Sequence, residues 1–172
     1  NPRVCIKTQR NRGLPATLNS VLLALDTDFV VYLGQDDILP VDHCAIMVEQ
    51  IKSLNADILF CNNYNINEIG EKSINLTLSD SLIDRQLRSP FSSFITKNFI
   101  SVVGSIWSVK ACKAVGGWEP KYQLFGEWLF YLKILKAGGR IGYTRKTVAY
   151  YRRHSTNNSS FLSAGPQRKK YF

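Results

Sequence analysis

Phe29-Val30-Val31-Tyr32-Leu33 is an unbroken apolar and largely β-branched run, the pattern of a strand buried on both faces of a sheet. It leads straight into the polar turn Gly34-Gln35-Asp36-Asp37. Pro40 and Asp42 then open a helix, with Asp42 as its N-cap, Ile46, Met47, Ile51 and Leu54 on one apolar face, and an end near Asn55. Residues 56–61 return as a strand. Upstream, Val4-Cys5-Ile6 reads as a short strand and Asn11-Arg12-Gly13 as a turn. Residues 15–25 read as a helix through Leu18, Val21, Leu22 and Leu25. Strand, helix, strand, helix, strand is the signature of an α/β layer with crossover connections and a largely parallel sheet. Sites in such sheets lie beyond the carboxyl ends of the strands.

The pattern continues less regularly. Residues 64–74, with Gly70 in the middle, suit a hairpin or irregular extension, and 76–98 a long excursion with one helical turn at 90–96. A strand is predicted over 102–109, a short helix over 110–115 stopped by Gly116-Gly117, and an amphipathic helix over 127–136 ended by Gly138-Gly139. Two strands, 140–144 and 148–152, close the pattern. A single domain over 1–154 and a polar, basic tail over 155–172 follow.

The chain has 172 residues, 45% of them hydrophobic and 12% aromatic, ample for one packed core. Lys and Arg outnumber Asp and Glu by 22 to 13, a formal charge of +9 that suits anionic partners without choosing among them. Cys5, Cys44, Cys61 and Cys112 form no Cys-x-x-Cys pair, so reduced, buried thiols are expected rather than a zinc site or a disulfide framework. No apolar run reaches the roughly 20 residues that cross a bilayer. The expectation is a cytoplasmic protein, with the basic tail hinting at peripheral association with the inner face of a membrane.

Two adjacent carboxylates just after a buried strand are placed to hold a hard divalent cation, which can bridge a diphosphate and neutralise a departing nucleotide. Asp36 and Asp37 offer this, and they equally suit an Asp-rich turn that caps the next helix. Arg152 and Arg153 are natural phosphate partners through bidentate guanidinium contacts, or one of them is a solvated strand residue.

The ordered set extends further. Asn11-x-Gly13 with Asn19, the strand into Gln35-Asp36-Asp37-Ile38-x-Pro40, Gly116-Gly117-Trp118-Glu119, Gly126-Glu127-Trp128, Gly138-Gly139 and Tyr151-Arg152-Arg153-His154 together resemble family-two glycosyltransferases of GT-A fold, from about Asn1 to His154. The resemblance implies a Rossmann-like α/β domain with a mixed, mostly parallel sheet flanked by helices. It implies an inverting transfer of a hexose from a nucleoside-diphosphate-sugar to a glycan or lipid-linked acceptor, assisted by a divalent metal, Mn2+ or Mg2+. Polysaccharide biosynthesis at the cell envelope would be the setting.

By that resemblance Asp36 is the main metal-coordinating carboxylate and Asp37 stands beside it near the ribose and diphosphate. Gly34 occupies the first position of the family's usual Asp-x-Asp and cannot coordinate. His154 falls where a histidine helps to hold the metal or diphosphate, and otherwise reads as a surface imidazole. Glu127 falls on the position of the base that takes the acceptor's proton, and otherwise reads as a first-turn acid favourable to the helix dipole. Trp118 and Glu119 would support the acceptor, with the Trp118 face available to a sugar ring or simply part of the core. Asn11, Gly13 and Asn19 resemble the segment under the nucleotide; as bare residues they are a turn and a helix start. The family's first strands, which contact base and ribose, are not matched, so the chain is expected to begin at the third or fourth strand of the family domain. A catalytically inert module that binds glycan or protein is the competing class. A nucleic-acid-binding domain has only the charge in its favour, with no recognition motif, and no nucleic-acid partner is expected.

Overall fold

The computed structural model describes residues 4–122 and 125–155. The predicted tail lies outside them apart from Ser155. The apolar run forms β1 (Phe29–Val31), preceded by α1 (Leu14–Ala24), which carries Pro15 in its first turn, where a missing N–H costs nothing. α2 (His43–Ser53) follows Asp42, which is the N-cap residue but makes no side-chain capping bond. β2 (Ile58–Ile66) runs on beyond the predicted strand into a hairpin, with Ile66 bridging Lys72 and Asn67 Oδ1 accepting from the Ile69 and Glu71 amides.

Residues 76–98 hold two helices instead of one turn, α3 (Asp80–Leu87) and α4 (Pro90–Thr96). α3 carries only a short apolar face, the buried Ile83 with the half-buried Leu82 and Leu87, too brief to stand out in a polar segment. Its start is marked instead by Ser79, whose hydroxyl accepts from the Leu82 amide at 3.3 Å. β3 (Ile106–Ser108) is shorter than predicted because residues 102–105 turn sharply at Gly104, where φ is 74°. A Cβ there would sit 2.7 Å from Ala149 Cβ and 3.0 Å from Cys61 Sγ, so only glycine lets the turn lie against the sheet. α5 (Val109–Ala114) and α6 (Gly126–Lys136) follow. The two strands predicted at the end are one, β4 (Ile141–Arg152). Thr144 pairs with Cys61 and Val148 with Asn62, so residues 145–147 bulge out of the ladder. Val4-Cys5-Ile6 is not a strand: Val4 and Ile6 are 63% and 88% exposed, and no described strand lies beside them.

The sheet order is β1-β3-β2-β4. β3 is antiparallel to both β1 and β2, and β2 is parallel to β4. β1, β2 and β4 therefore point one way and β3 alone opposes them, a mixed sheet with three of its four strands in one direction. β3 stands between the two strands that the first crossover joins.

Alternation along β2 divides the core. Ile58 and Phe60 face a cluster built with Trp107, Phe94, Phe130, Tyr131 and Ile134 under α1 and α3 to α6, whereas Leu59 and Cys61 face Met47 and Ile51 of α2. Cys61 and Cys112 are buried, as expected, but Cys5 and Cys44 are exposed. Among the described residues no helix is long and apolar enough to cross a membrane.

His43, at the start of α2, is fully buried. Its Nδ1 lies 3.0 Å from Thr147 Oγ1 and its Nε2 3.2 Å from the Gly104 carbonyl, pinning α2 to the β4 bulge and the 102–105 turn. Burial pushes its pKa below the usual 6.5. The unfolded chain then binds the proton more readily, so His43 should withdraw stability as pH falls below about 6.5 and restore it above. In thermal melts, that part of the pH dependence should vanish in His43→Asn, which should also be destabilised by about 1–3 kcal/mol through the lost bonds.

Candidate active site

β1 ends at Val31 and the chain leaves the sheet through Tyr32, Leu33 and Gly34, at the carboxyl end where sites form. The Asp37 amide closes a turn on the Gly34 carbonyl at 3.3 Å. Immediately beyond, Ile38 and Tyr150 exchange both backbone hydrogen bonds, at 3.0 and 2.9 Å. This two-bond stitch lays the aspartate turn along the end of β4.

The consequence is a contact between residues 118 positions apart: His154 Nε2 lies 2.8 Å from Asp36 Oδ2. The two side chains are 23% and 29% exposed, sheltered but open to a ligand. The Arg152 amide donates to Asp37 Oδ1 at 3.0 Å, and Arg152 Nε donates to the Asp36 carbonyl at 2.9 Å. Arg152 Nη1 reaches the carbonyls of Asn67 and Glu68 at 2.7 and 3.0 Å. Arg152, predicted as a phosphate partner, is thus a strap tying the aspartate turn to the β2 hairpin, because three carbonyls take up its guanidinium.

Burial, and then the neighbouring Asp36 charge, raise the Asp37 pKa, opposed by the Arg152 amide bond. Two crowded carboxylates of this kind favour a cation between them. Gly34 contributes by having no side chain: a Cβ there would stand 2.7 Å from Asp37 Oδ2 and 3.0 Å from Asp36 Oδ1, so any other residue would displace a carboxylate.

Glu127 comes from the first turn of α6, which packs its Gly126 against Pro15 of α1. It is half-buried, and burial raises its pKa. Tyr32 connects the two parts. Its pKa is raised by burial, then by Asp37, Asp36 and Glu127 in turn, so its hydroxyl stands in the field of all three carboxylates. Tyr32 went unnoticed in the sequence, although its place one residue past β1 was a usable signal.

The remaining predicted residues divide. Asn11 Oδ1 accepts from the Gly13 amide at 2.9 Å, forming the turn before α1. Asn19, predicted to lie under a nucleotide, instead spends its amide on the Trp118 backbone, with Nδ2 2.7 Å from the carbonyl and Oδ1 2.8 Å from the N–H. Gly117, with φ of 70°, is required beside it, since a Cβ would overlap Asn19 Oδ1. Trp118 is 4% exposed, stacked on Phe130 at 4.0 Å and edge-on to Trp107 at 5.2 Å. Its faces are filled by the core, so it offers no platform to a sugar; the polar Gly116-Gly117-Trp118-Glu119 backbone hides an apolar ring. Glu119 is exposed on that loop. Arg153 is exposed, with its guanidinium over the Tyr151 ring at 5.4 Å.

Residues 1–116 match the family model described as glycosyl transferase family 2. The chain belongs to that family. No curated protein matches it. Among solved structures this family member is similar to S. aureus TarS 1-349 in complex with UDP, with a TM-score of 0.55 and 18% identity over 84% of this chain. It spans 41% of that TarS chain. The likeness establishes a GT-A fold for the family member. Glu127, Arg152, Arg153 and His154 lie beyond the matched residues, so their places rest on the geometry above.

Proposed function

We propose that this chain carries the metal and acceptor-base side of an inverting glycosyltransferase, which moves a sugar from a nucleoside-diphosphate-sugar to a glycan or lipid-linked acceptor. The observation that carries this reading is the Asp36 to His154 contact beside Asp37 at the carboxyl end of β1. Membership of the family and the UDP bound to TarS support a nucleoside diphosphate donor.

The donor set suits Mn2+ or Mg2+. Among the described residues no three His, Cys, Asp or Glu side chains converge to enclose an ion. Asp36 and His154 supply one hard oxygen and one imidazole nitrogen, and an incomplete protein shell of that kind leaves places for diphosphate oxygens and water. Bound there, such an ion would neutralise charge on the departing diphosphate. Asp37 and Arg153 flank the ribose and diphosphate, while Arg152 keeps Asp36 and Asp37 in position. Asn11 and Gly13 lie on the nucleotide side. Glu119 stands on the acceptor side.

Inversion requires the acceptor oxygen to attack the anomeric carbon on the face opposite the bond to diphosphate as that bond breaks. Glu127 takes the hydroxyl proton. A carboxylate whose pKa is raised by burial is a better base than a solvated one.

Titration calorimetry of the full-length protein against uridine, guanosine and thymidine diphosphates, with and without manganese, tests this reading. One of the nucleotides should bind, and only with the metal. Absence of metal-dependent binding to all three would remove the basis of the proposal.

A further inference from the structure

β4 ends the order of the described sheet, and its outer edge is open at the start. The Arg140 carbonyl accepts from the Asp57 and Ile58 amides, so the backbone at 140 and 142 turns toward β2 and that of Ile141 and Tyr143 turns away from it. Farther along, Ile38 occupies the same edge by exchanging two bonds with Tyr150. Between the two, the 145–147 bulge closes the edge with Arg145 and Lys146 paired to Asp80, Asp84 and Glu49. At Ile141 and Tyr143 no backbone partner lies beyond the edge among the described residues. An unblunted strand edge is a template for pairing with another chain.

A groove of about 490 Å³ follows this edge, with residues 139–143 as its floor. Leu54 and Ala56 beside α2 form one wall, and Pro90, Phe91 and Leu135 of α4 and α6 form the other. Leu54 is 48% exposed and Phe91 41%, so both walls offer apolar surface. Arg88, Lys136 and Arg140 are exposed at the rim, each lining the groove or within two residues of a residue that does, and none is in an ion pair among the described residues. Asp57 is the one described acid so placed, and its Oδ2 accepts from the Arg140 amide at 2.9 Å. The volume alone would suit a small apolar ligand. The floor, however, presents donors and acceptors at strand spacing, which another strand answers in full. A second copy pairing edge to edge would set Arg88, Lys136 and Arg140 near their own counterparts across a dyad, like charge against like. The basic rim instead complements an acidic partner.

We infer that the start of β4 is a docking edge for an extended, acidic segment of a partner protein. The segment adds a strand at Ile141 and Tyr143, lays alternate apolar side chains against the two walls, and sets its carboxylates at Arg88, Lys136 and Arg140. This edge lies at the amino end of the strands, about 30 Å along β4 from the stitch that holds the aspartate turn. A docked strand therefore leaves the carboxyl end of the sheet clear, and the inference is independent of the function proposed above.

The probe is a capped synthetic peptide of about ten residues that alternates Val and Thr between Glu residues at both ends. It should bind the full-length protein and slow hydrogen exchange at the Ile141 and Tyr143 amides by about 10-fold or more. Phe91→Glu places a like charge on one wall and should weaken the peptide by more than about 10-fold. Phe91 is exposed, so the melting temperature should stay within a few degrees. Arg140→Glu should weaken the Glu-ended peptide by about fivefold and turn the preference toward a Lys-ended peptide of the same core; it tests the inference even if the Phe91 variant folds poorly. No binding at about 1 mM peptide overturns the inference. So does binding that leaves exchange at Ile141 and Tyr143 unchanged, or that ignores the sign of residue 140. A dimer seen in sedimentation and lost in Phe91→Glu would give the edge to a second copy and overturn it as well.

Discussion

Asp36→Ala should lower manganese-dependent affinity for the nucleoside diphosphate by more than about 100-fold, because even the outer partners of metal ligands are worth about 10- to 100-fold in metal affinity. The loss should be confined to the metal-dependent part of binding. Asp36 is 29% exposed at its side chain and its removal opens no core cavity, so the melting temperature should stay within a few degrees. The turn itself is held by backbone bonds between Ile38 and Tyr150 and by the Arg152 strap on the Asp36 carbonyl, none of which needs the carboxylate. Calorimetry with and without manganese reads the effect directly. Equal affinity in the variant and the parent would leave the aspartate turn with the structural role of joining β1 to β4 and the site without a metal.

Glu127→Gln should act at the opposite end of the scheme. Gln has the same shape and cannot accept a proton, so donor affinity should remain within about threefold while transfer falls by about 10²- to 10⁴-fold, the range associated with a positioned general base. The raised pKa of Glu127 has one cause that dominates, burial at the first turn of α6. In the parent chain the base proposed here should accordingly be lost by protonation at a higher pH than an exposed glutamate would be. Unchanged turnover would mean that Glu127 serves only the α6 dipole.

How much of this could be seen in the chain beforehand depended on range. β1, α2 and β2 were legible because periodicity and turn residues are local, and so was the position of Asp36 and Asp37 just past a buried strand. α3 was missed because its apolar face, Leu82, Ile83 and Leu87, spans too few turns to show a period within a polar segment. β4 was read as two strands because its bulge is polar and exposed at Arg145 and Lys146, which in sequence looks the same as a loop. Asn19 and Trp118 were misjudged for another reason. Each bonds or stacks with residues far away, 99 positions in the case of their mutual contact, and nothing local distinguishes an amide that binds a ligand from one that binds a loop. The nearness of His154 to Asp36 was implied only by resemblance, and the cause, a two-bond stitch between Ile38 and Tyr150, has no signature in either segment.

That stitch also sets an order of events during synthesis. Asp36 leaves the ribosome long before His154, 118 residues behind it, and at about 5–20 residues per second the interval is roughly 6–24 s. β1 and α2 can form in that time, but the edge that pins the aspartate turn does not yet exist. In a nascent chain of this protein Asp36 and Asp37 therefore wait for their contacts with His154 and Arg152 until β4 docks, and the cation site proposed above can be assembled only then.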